Sequence, residues 1–321
     1  MIFADKIEKM YREQMFIRCD DNGTAYYFSA DDFEGLNRES FVFKAKAGHN
    51  LQGYFYWYEN PAENRVVIFE HGMGGGHRSY MREIETIAKR GYLVFAYDHT
   101  GCMESEGENT NGFGQSLSDL DCAVKALKDS EKCKGMDISI IGHSWGGFST
   151  LNIPALHPDI KHIVAMSGFI SVKDMVNQYF AGLMKPFAKH IYALEEKSNP
   201  DTVKFNAAES LKDTKVKALV IHSADDPMVK KECHFDVLKN ALNDKENITF
   251  WLMEGKAHSP NYTYDAVKYK DAFFATLTEK LKKKELETAQ QKAEFVAGYD
   301  WWKMTTQDMD VWDRIFEFIK E

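Results

Sequence analysis

The segment "DISIIGHSWGGFSTL", residues 137–151, decides the fold of this chain, because it joins a β-branched run to a helix-like run through a serine flanked by glycines. The junction contains Gly142, Ser144 and Gly146 in a G-x-S-x-G pattern, which between a strand and a helix is typical of a nucleophile elbow. A turn that lifts the serine above a sheet leaves no room for side chains two positions away, so glycine fits at both places. The alternative is a tight glycine-rich turn with an inert serine. The context predicts that Ser144 is a nucleophile.

Candidates for a base and an acid follow two later strand-like runs. The run "ALVIHSADDPMV" ends at Asp225 and Asp226, and the run "ITFWLMEGKAHSP" ends at His258. A serine hydroxyl is a weak nucleophile and needs a base that is itself oriented by an acid. The chain order of serine, aspartate and histidine is the order expected for an elbow on an α/β sheet. The residues therefore predict a catalytic triad of Ser144, His258 and either Asp225 or Asp226.

The loop "FEHGMGGGHRSY", after the first long strand-like run, supplies a candidate for an oxyanion hole. Such a hole needs two N–H donors aimed at the oxygen of the tetrahedral intermediate. The predicted donors are the backbone N–H groups of Met73 and of Trp145, the residue after the serine. A phosphate-binding loop is the alternative, but the segment lacks the Lys-Ser/Thr of a P-loop and the spacing of a dinucleotide fingerprint.

Strand-like and helix-like segments alternate over about residues 40–260. The runs "RVVIFEHG", "GYLVFAYD", "DISIIGHS", "IKHIVAMSG" and "VKALVIHSADD" are apolar at odd and even positions. This pattern suits strands that are covered on both faces, as in a parallel sheet. Helical patterns such as "SLSDLDCAVKALKDSE" separate them, whereas residues 39–48 and 50–59 favour an antiparallel pair. The alternation predicts an α/β fold with a doubly wound, mostly parallel sheet.

Several segments depart from this alternation and define the predicted domain organisation. Residues 1–38 form a polar and aromatic N-terminal extension, and the core comprises residues 39–171 and 215–321. Residues 172–214 contain no strand-like run and are interpreted as a helical excursion between two strands. Within the second part of the core, residues of about 262–300 are strongly helical and charged, which predicts a helical insertion.

Composition and charge argue against several classes of protein. The formal net charge of −9 at pH 7 disfavours a general nucleic-acid binder, which needs clustered lysine and arginine for phosphate contacts. The five cysteines are scattered without a CxxC pair, so neither a disulfide framework nor a zinc site is expected. A charged N-terminus and the lack of a long apolar run predict a cytoplasmic protein without stable membrane insertion. The predicted chemistry requires no metal and no organic cofactor.

Four motifs together resemble the α/β-hydrolase superfamily, over roughly residues 40–260 and the final helix. "HGMGG" is similar to the superfamily's His-Gly oxyanion loop, "YDHTGCMESEG" to its D-x-R-G-x-G-x-S-x-G turn, and "GKAHSP" to the context of its histidine. "IHSADDPMV" is similar to the acid turn G-x-x-D-x-x-V, and that register implies Asp226 as the triad acid, with Asp225 as the alternative. Within the superfamily the chain resembles capped bacterial esterases and monoacylglycerol-lipase-like lysophospholipases.

The resemblance also implies that residues 172–214 form a helical cap over the active site. Apolar residues recur there at near-helical spacing, and they either pack on the body of the protein or line an apolar pocket, since ligand sites are mostly apolar. The predicted substrate-binding residues are His143, Tyr179, Phe180, Met184 and Phe187.

The combined prediction is a serine hydrolase that cleaves carboxylic esters of small to medium, apolar acyl groups through an acyl-enzyme on Ser144. The expected partner is a small-molecule ester, and a homodimer is left open. Amide or thioester cleavage on the same triad is one alternative, and a non-catalytic ligand-binding or scaffold protein is another. A prolyl-type peptidase would need an amine-binding glutamate pair, and the pair in "YALEEKS", Glu195 and Glu196, is interpreted instead as a charged helix face.

Overall fold

The computed structural model describes residues 2–59, 61 and 64–320 of the chain. The strands are β1 (Asn37–Lys44), β2 (Asn50–Trp57), β3 (Arg65–Glu70), β4 (Leu93–Tyr97), β5 (Asp137–His143), β6 (His162–Met166), β7 (Lys217–Ser223) and β8 (Ile248–Met253). The helices are α1 (Ile2–Met15), α2 (Met81–Lys89), α3 (Gln115–Asp129), α4 (Trp145–Asn152), α5 (Val172–Tyr179), α6 (Lys185–Ser198), α7 (Ala207–Lys212), α8 (Phe235–Leu242), α9 (Tyr264–Lys282), α10 (Ala289–Ala297), α11 (Trp301–Met304) and α12 (Met309–Lys320).

In the described part of the chain, the strands form one eight-stranded sheet with the order β1-β2-β4-β3-β5-β6-β7-β8. β2 is antiparallel to both β1 and β4, and all other neighbouring strands are parallel. The antiparallel pair and the parallel strands predicted from the sequence are therefore confirmed.

The central strands are apolar on both faces because helices cover the sheet on both sides. Every residue of β4 and β6 is buried, and so is every residue of β3 and β7 after the first. On one face, Leu117 of α3 and Phe148 of α4 belong to the core cluster and are fully buried. On the other face, Ile84 of α2 and Trp312 and Ile315 of α12 are equally buried. This two-sided burial is the doubly wound arrangement that the sequence predicts.

The N-terminal helix α1 packs on the helical excursion between β6 and β7. Ile7 and Tyr11 of α1 are buried in the same cluster as Phe180 and Ile191 of the excursion, and the rings of Tyr11 and Phe180 lie 6.1 Å apart. Residues 172–214, all of which the structure describes, contain α5, α6 and α7 and no strand. The N-terminal extension is thus partly a packing partner of the excursion.

The helices α9 and α10 form a small apolar cluster of their own after β8. Phe273 of α9 stacks on Phe295 of α10 with their ring centroids 5.4 Å apart, and Leu277 and Met304 are buried beside them. Neither these helices nor any others in the described ranges are long and apolar enough to cross a membrane.

The carboxyl ends of the parallel strands lie at one edge of the sheet, where ligands bind in open α/β sheets. Ser144 directly follows β5, Asp226 follows β7, and His258 follows β8. The topology therefore brings the three residues predicted to form a triad to the same edge.

Candidate active site

Ser144 occupies a strained turn between β5 and α4. Its backbone has φ 57° and ψ −111°, a conformation that residues other than glycine rarely adopt. The N–H of Ser144 donates to the carbonyl of Met166 at 2.9 Å, which fixes the turn to β6. A Cβ on Gly142 would lie 2.3 Å from the carbonyl oxygen of Gly146, and a Cβ on Gly146 would lie 2.3 Å from that of Glu70. Glycine is required at both positions, as the motif predicts.

The imidazole of His258 pairs with Asp226. Its Nδ1–H donates to Asp226 Oδ2 at 2.7 Å, while Asp226 Oδ1 accepts from the N–H groups of Met228 at 2.8 Å and Val229 at 3.0 Å. Burial favours the neutral acid, but the hydrogen bond and charge of His258 and the Val229 N–H outweigh it, and the pKa of Asp226 is lowered from its usual value. Asp226 is therefore an ionised, buried carboxylate behind the imidazole.

Asp225, the alternative acid, makes different contacts. Its side chain is exposed, Oδ1 accepts from Ser223 Oγ, and Oδ2 accepts from the N–H of Ala257 at 3.3 Å. Asp225 forms no hydrogen bond with His258 anywhere in the described chain. The geometry thus pairs the imidazole with Asp226 and leaves Asp225 at the rim of the same turn.

His143, the residue before the serine, links His258 to the segment after the glycine loop. Its Nε2–H donates to the carbonyl oxygen of His258 at 2.7 Å, and because a carbonyl can only accept, Nδ1 carries the lone pair that accepts from Tyr80 Oη–H at 2.9 Å. Burial and the neighbouring charge of His258 hold the pKa of His143 well below its usual value. Both ring nitrogens of this predicted substrate-binding residue are occupied, so only its carbon atoms are left for a substrate.

The two predicted oxyanion donors lie on the two segments that border the serine. Trp145 is the first residue of α4, so its N–H has no acceptor within the helix. Its indole is buried and donates to the carbonyl of Phe113 at 2.7 Å, which anchors the turn. Met73 is half-buried and follows Gly72, on which a Cβ would lie 3.4 Å from the Cβ of Ser144.

The contact between the serine hydroxyl and the imidazole remains a prediction. Ser144 Oγ forms no hydrogen bond with any residue that the structure describes. The rings of His143 and His258 nevertheless lie 4.8 Å apart, so the imidazole is next to the elbow. Hydrogen bonds of this kind are often long without substrate and shorten when it binds.

A buried cluster of charged groups lies beneath the elbow. His99 Nε2 is 3.4 Å from Glu70 Oε2, and His99 Nδ1 is 3.4 Å from Asp119 Oδ2. Burial opposes protonation, but the two carboxylates outweigh it and raise the pKa of His99 to about 9. The His99 ring lies 4.7 Å from that of Trp145, so it packs against the first residue of α4. Within the described residues, no group of three or more His, Cys, Asp or Glu side chains is arranged to hold a metal ion.

The predicted pocket residues of the excursion differ in exposure. Tyr179 is 47% exposed and stacks on Phe113 with the ring centroids 6.4 Å apart. Phe180 is 9% exposed and packs on α1. Met184 and Phe187 are partly buried against the main core cluster. Tyr179 is therefore accessible to a ligand, whereas Phe180 is part of the core.

Glu195 on α6 is fully buried, so its interpretation as part of a charged helix face is wrong. Its Oε1 accepts from Tyr11 Oη–H at 2.7 Å, and its Oε2 accepts from the N–H of Phe113 at 2.9 Å. Burial raises the pKa of Glu195 to about 7. The side chain joins α1, α6 and the loop before α3, while Glu196 is exposed as expected.

Glu195→Gln is expected to remove a pH dependence of stability. The folded protein keeps the proton on Glu195 up to about pH 7, whereas the unfolded chain releases it near pH 4.5. The contribution of Glu195 to the free energy of unfolding therefore falls by about 3 kcal/mol as the pH rises from 4.5 to 7. Urea denaturation of the wild type and the variant at both ends of the window measures the difference. Glu196→Gln, at the exposed neighbour, should behave as the wild type does. A wild-type pH slope in Glu195→Gln would contradict the assignment.

Several residues that build this site were not identified from the sequence. Glu70 carries a detectable signal, because it is a charged residue at the end of the apolar run "RVVIFEHG", and His99 carries a similar one inside "YDHTG". Tyr80 carries none, since its role depends on a contact with a residue 63 positions away. The buried state of Glu195 depends in the same way on the packing of α1 and α6.

Comparisons with known proteins show similarity to several hydrolases. A family model described as serine aminopeptidase, S33, matches residues 61–206. The chain is 31% identical over 124 residues to a monoglyceride lipase homolog of monkeypox virus, and the matched region covers 38% of this chain and 42% of that protein. It is 30% identical over 94 residues to a proline iminopeptidase of Clostridioides difficile (strain 630), and the matched region covers 29% of this chain and 31% of that protein. The chain spans less than half the length of these curated relatives.

Solved structures share the fold over a larger part of the chain. An esterase of Pyrococcus furiosus superposes with a TM-score of 0.60 at 21% identity, and the match covers 84% of this chain and 98% of that chain. A likeness at this identity shows the fold alone. With the sheet order described above, it confirms the α/β-hydrolase fold that the motifs predict.

Proposed function

We propose that this chain, an α/β hydrolase with monoglyceride-lipase-like relatives, is a serine esterase that cleaves small to medium, apolar acyl esters through an acyl-enzyme on Ser144. The observation that carries the proposal is the 2.7 Å pairing of His258 with Asp226 beside the strained turn of Ser144. A serine next to an imidazole that a buried carboxylate orients can be deprotonated and attack an acyl carbon.

The proposed reaction assigns one task to each group. His258 Nε2 accepts the proton of Ser144 as the serine oxygen attacks the ester carbonyl, and it then gives that proton to the departing alcohol. Asp226 keeps Nδ1 protonated and stabilises the imidazolium. The N–H groups of Met73 and Trp145 bind the oxyanion. Water attacks the acyl-enzyme by the same steps and releases the acid.

A comparison of leaving groups tests this proposal. We expect kcat/KM for p-nitrophenyl esters to exceed that for the matched p-nitroanilides and thioesters, with a maximum at a short or medium acyl chain in a series from acetate to laurate. A preference for the anilides would favour a peptidase, and a preference for the thioesters would favour a thioesterase.

Peptidase or amidase activity is the second candidate, supported by the S33 description and the proline iminopeptidase relative. Such an activity on a free amino terminus would need a carboxylate that is available to the substrate's ammonium group. In the glutamate pair on α6, Glu195 is fully buried, and its two carboxylate oxygens accept hydrogen bonds from Tyr11 and Phe113. Glu195 is therefore not available to an ammonium group. We therefore favour esterase activity over aminopeptidase activity. Hydrolysis of aminoacyl p-nitroanilides with and without a blocked N-terminus distinguishes these two activities.

The preference for apolar acyl groups rests on the surface that the excursion presents. Tyr179 is half exposed, and Leu183 on the turn between α5 and α6 is 97% exposed. Met228, which follows Asp226 in the acid turn, is 50% exposed, and its carbonyl accepts a hydrogen bond from Gln178 of α5. Exposed aromatic, aliphatic and thioether side chains are thus found on the excursion and on the acid turn that it contacts, and apolar lining is the usual environment of a bound acyl chain.

Tyr80→Phe is expected to lower kcat about fivefold with little change in KM. The substitution removes the donor to His143 Nδ1, so His143 holds the carbonyl of His258 less firmly, and a hydrogen bond of this kind contributes about 1 kcal/mol. The packing of the ring against Phe69 is kept. Steady-state kinetics on the best ester measure the effect.

Tyr58→Phe is the matched control for this prediction. Tyr58 also loses a hydroxyl that is hydrogen-bonded to a side chain, in this case Glu85 at 3.1 Å, but it lies away from the elbow. We expect its kcat to stay at the wild-type value. Equal losses in the two variants would mean that Tyr80 acts on general stability and does not position His258.

A further inference from the structure

Two cysteines from distant segments lie side by side next to the glycine loop. The N–H of Cys19 donates to the carbonyl of Gly101 at 2.9 Å, and the N–H of Met103 donates to the carbonyl of Cys19 at 3.0 Å. These bonds make Cys19 and Cys102 direct neighbours in a parallel bridge. Both are free thiols with buried side chains, and the Cys102 thiol is close enough to lower the pKa of Cys19.

We propose that Cys19 and Cys102 form a dithiol site that hydroperoxides convert to a disulfide. Backbones paired in this way lie about 4.8 Å apart. Disulfides join residues whose Cα atoms are about 4.4–6.8 Å apart. The bond therefore forms without a large movement of either segment, and it joins the N-terminal segment covalently to the loop after β4.

Further contacts hold the two segments in this register. The N–H of Thr110 donates to the carbonyl of Ile17 at 3.0 Å. The guanidinium of Arg18 donates to the carbonyl of Gly107 at 2.7 Å and to that of Met103 at 2.6 Å. Because bonds on both sides of the cysteine pair fix the backbone, the two thiols stay close together in the folded protein.

Cys19 is the sulfur suited to react first. The hydrogen bond from the Cys102 thiol lowers the pKa of Cys19 against the opposing effect of burial, and the N–H of Gly74 assists. The thiolate is the form that attacks peroxides. Cys19 is 5% exposed and Cys102 is 0% exposed, so Cys19 is also the more accessible of the two. At Cys122 and Cys133, burial raises the pKa to about 11, which disfavours their oxidation.

The proposed reaction consumes one hydroperoxide for each disulfide. The Cys19 thiolate attacks the terminal peroxide oxygen, the O–O bond breaks, and the alkoxide takes up a proton and leaves as the alcohol. The Cys102 sulfur then attacks the sulfenic sulfur of Cys19, the S–S bond forms, and the hydroxyl leaves as water with the proton of the Cys102 thiol. The two thiols lose two electrons in total, and the peroxide gains them.

Oxidation also changes a contact with the predicted oxyanion loop. The N–H of Gly74, the residue after Met73, lies near the Cys19 sulfur and helps to lower the pKa of its thiol. A hydrogen bond to a thiolate is stronger than one to an uncharged sulfur, so the disulfide holds the loop less firmly. We therefore expect a loss of kcat in ester hydrolysis that dithiothreitol reverses. This part rests on the proposed function, whereas formation of the disulfide does not.

Peptide mapping of the peroxide-treated, folded protein tests the site. The full chain is treated with hydrogen peroxide or cumene hydroperoxide, unfolded, alkylated and digested without reductant. We expect a mass decrease of about 2 Da from the loss of two hydrogen atoms, a peptide pair that joins Cys19 to Cys102, and alkylation of Cys122, Cys133 and Cys233. In Cys102→Ser, dimedone should trap a sulfenic acid on Cys19, and Cys122→Ser should form the same disulfide as the wild type.

Two results would overturn the proposal. One is full alkylation of Cys19 and Cys102 in the treated wild type, and the other is a disulfide that joins either of them to a different cysteine. A disulfide that forms between Cys19 and Cys102 with unchanged kcat would leave the site in place and refute only its coupling to the oxyanion loop. If the protein had no esterase activity, the peptide map would still test whether Cys19 and Cys102 form the disulfide.

Discussion

Ser144→Ala is expected to reduce kcat for ester hydrolysis about 10⁶-fold, to nearly the background rate, because the substitution removes the nucleophile of the proposed acyl-enzyme. The rest of the site stays in place. Ser144 Oγ forms no hydrogen bond with the described residues, so its loss leaves no buried partner unsatisfied. Alanine and serine tolerate the positive φ of this turn about equally, so the backbone is not strained further. Circular dichroism and thermal unfolding should therefore match those of the wild type.

Ser40→Ala is a suitable control for this variant. Ser40 lies on β1, the edge strand four positions away from β5 in the sheet, and it accepts a hydrogen bond from the half-buried side chain of Gln52. We expect its kcat to be that of the wild type. Substantial hydrolysis by a purified, folded Ser144→Ala protein would show that another group is the nucleophile and would refute the mechanism.

Asp226→Asn is expected to reduce kcat about 10⁴-fold, whereas Asp225→Asn should change it less than about threefold. Asp226 Oδ1 accepts two backbone N–H groups, from Met228 and Val229, and the amide oxygen of asparagine would keep that position. The amide NH₂ would then face Nδ1 of His258, which must turn its lone pair towards the NH₂ and carry its proton on Nε2. An imidazole in that tautomer cannot accept the proton of Ser144.

Asp225→Asn provides the matched comparison, since the two residues are adjacent and the chemical change is the same. Asp225 is exposed and contacts Ser223 and the N–H of Ala257, not the imidazole. Steady-state kinetics of both variants on one ester, with thermal unfolding as a check of folding, measure the contrast. A larger loss for Asp225→Asn than for Asp226→Asn would reverse the assignment of the acid.

The strands and the elbow could be predicted because their signals are local. In "DISIIGHSWGG", the apolar run specifies a strand covered on both faces, and the close approach of Gly142 to Gly146 explains why both positions need glycine. Residues that follow parallel strands lie at one edge of the sheet. The positions of the serine, the aspartate and the histidine after three such strands therefore sufficed to predict that they share this edge. The register of the acid turn also selected Asp226, the residue that contacts His258.

The contacts between distant segments could not be predicted from local patterns. Tyr80 contacts His143 only because the helix after the glycine loop returns to the elbow. The charge pattern around Glu195 is typical of a solvated face, yet α1 covers it and Tyr11 satisfies one of its oxygens. Cys19 and Cys102 are 83 positions apart in the sequence, and only the path of the N-terminal segment makes them neighbours. Tertiary packing determines each of these pairs.

Labelling with a fluorophosphonate probe, followed by peptide mass mapping, tests the central claim most directly. The probe reacts with a serine only when a base has activated it, and it does so without any choice of substrate. We predict one phosphonylated residue, Ser144, and no label in Ser144→Ala or after heat unfolding. An unlabelled protein whose folding has been verified would contradict the account and would favour a ligand-binding or scaffold role on the same fold.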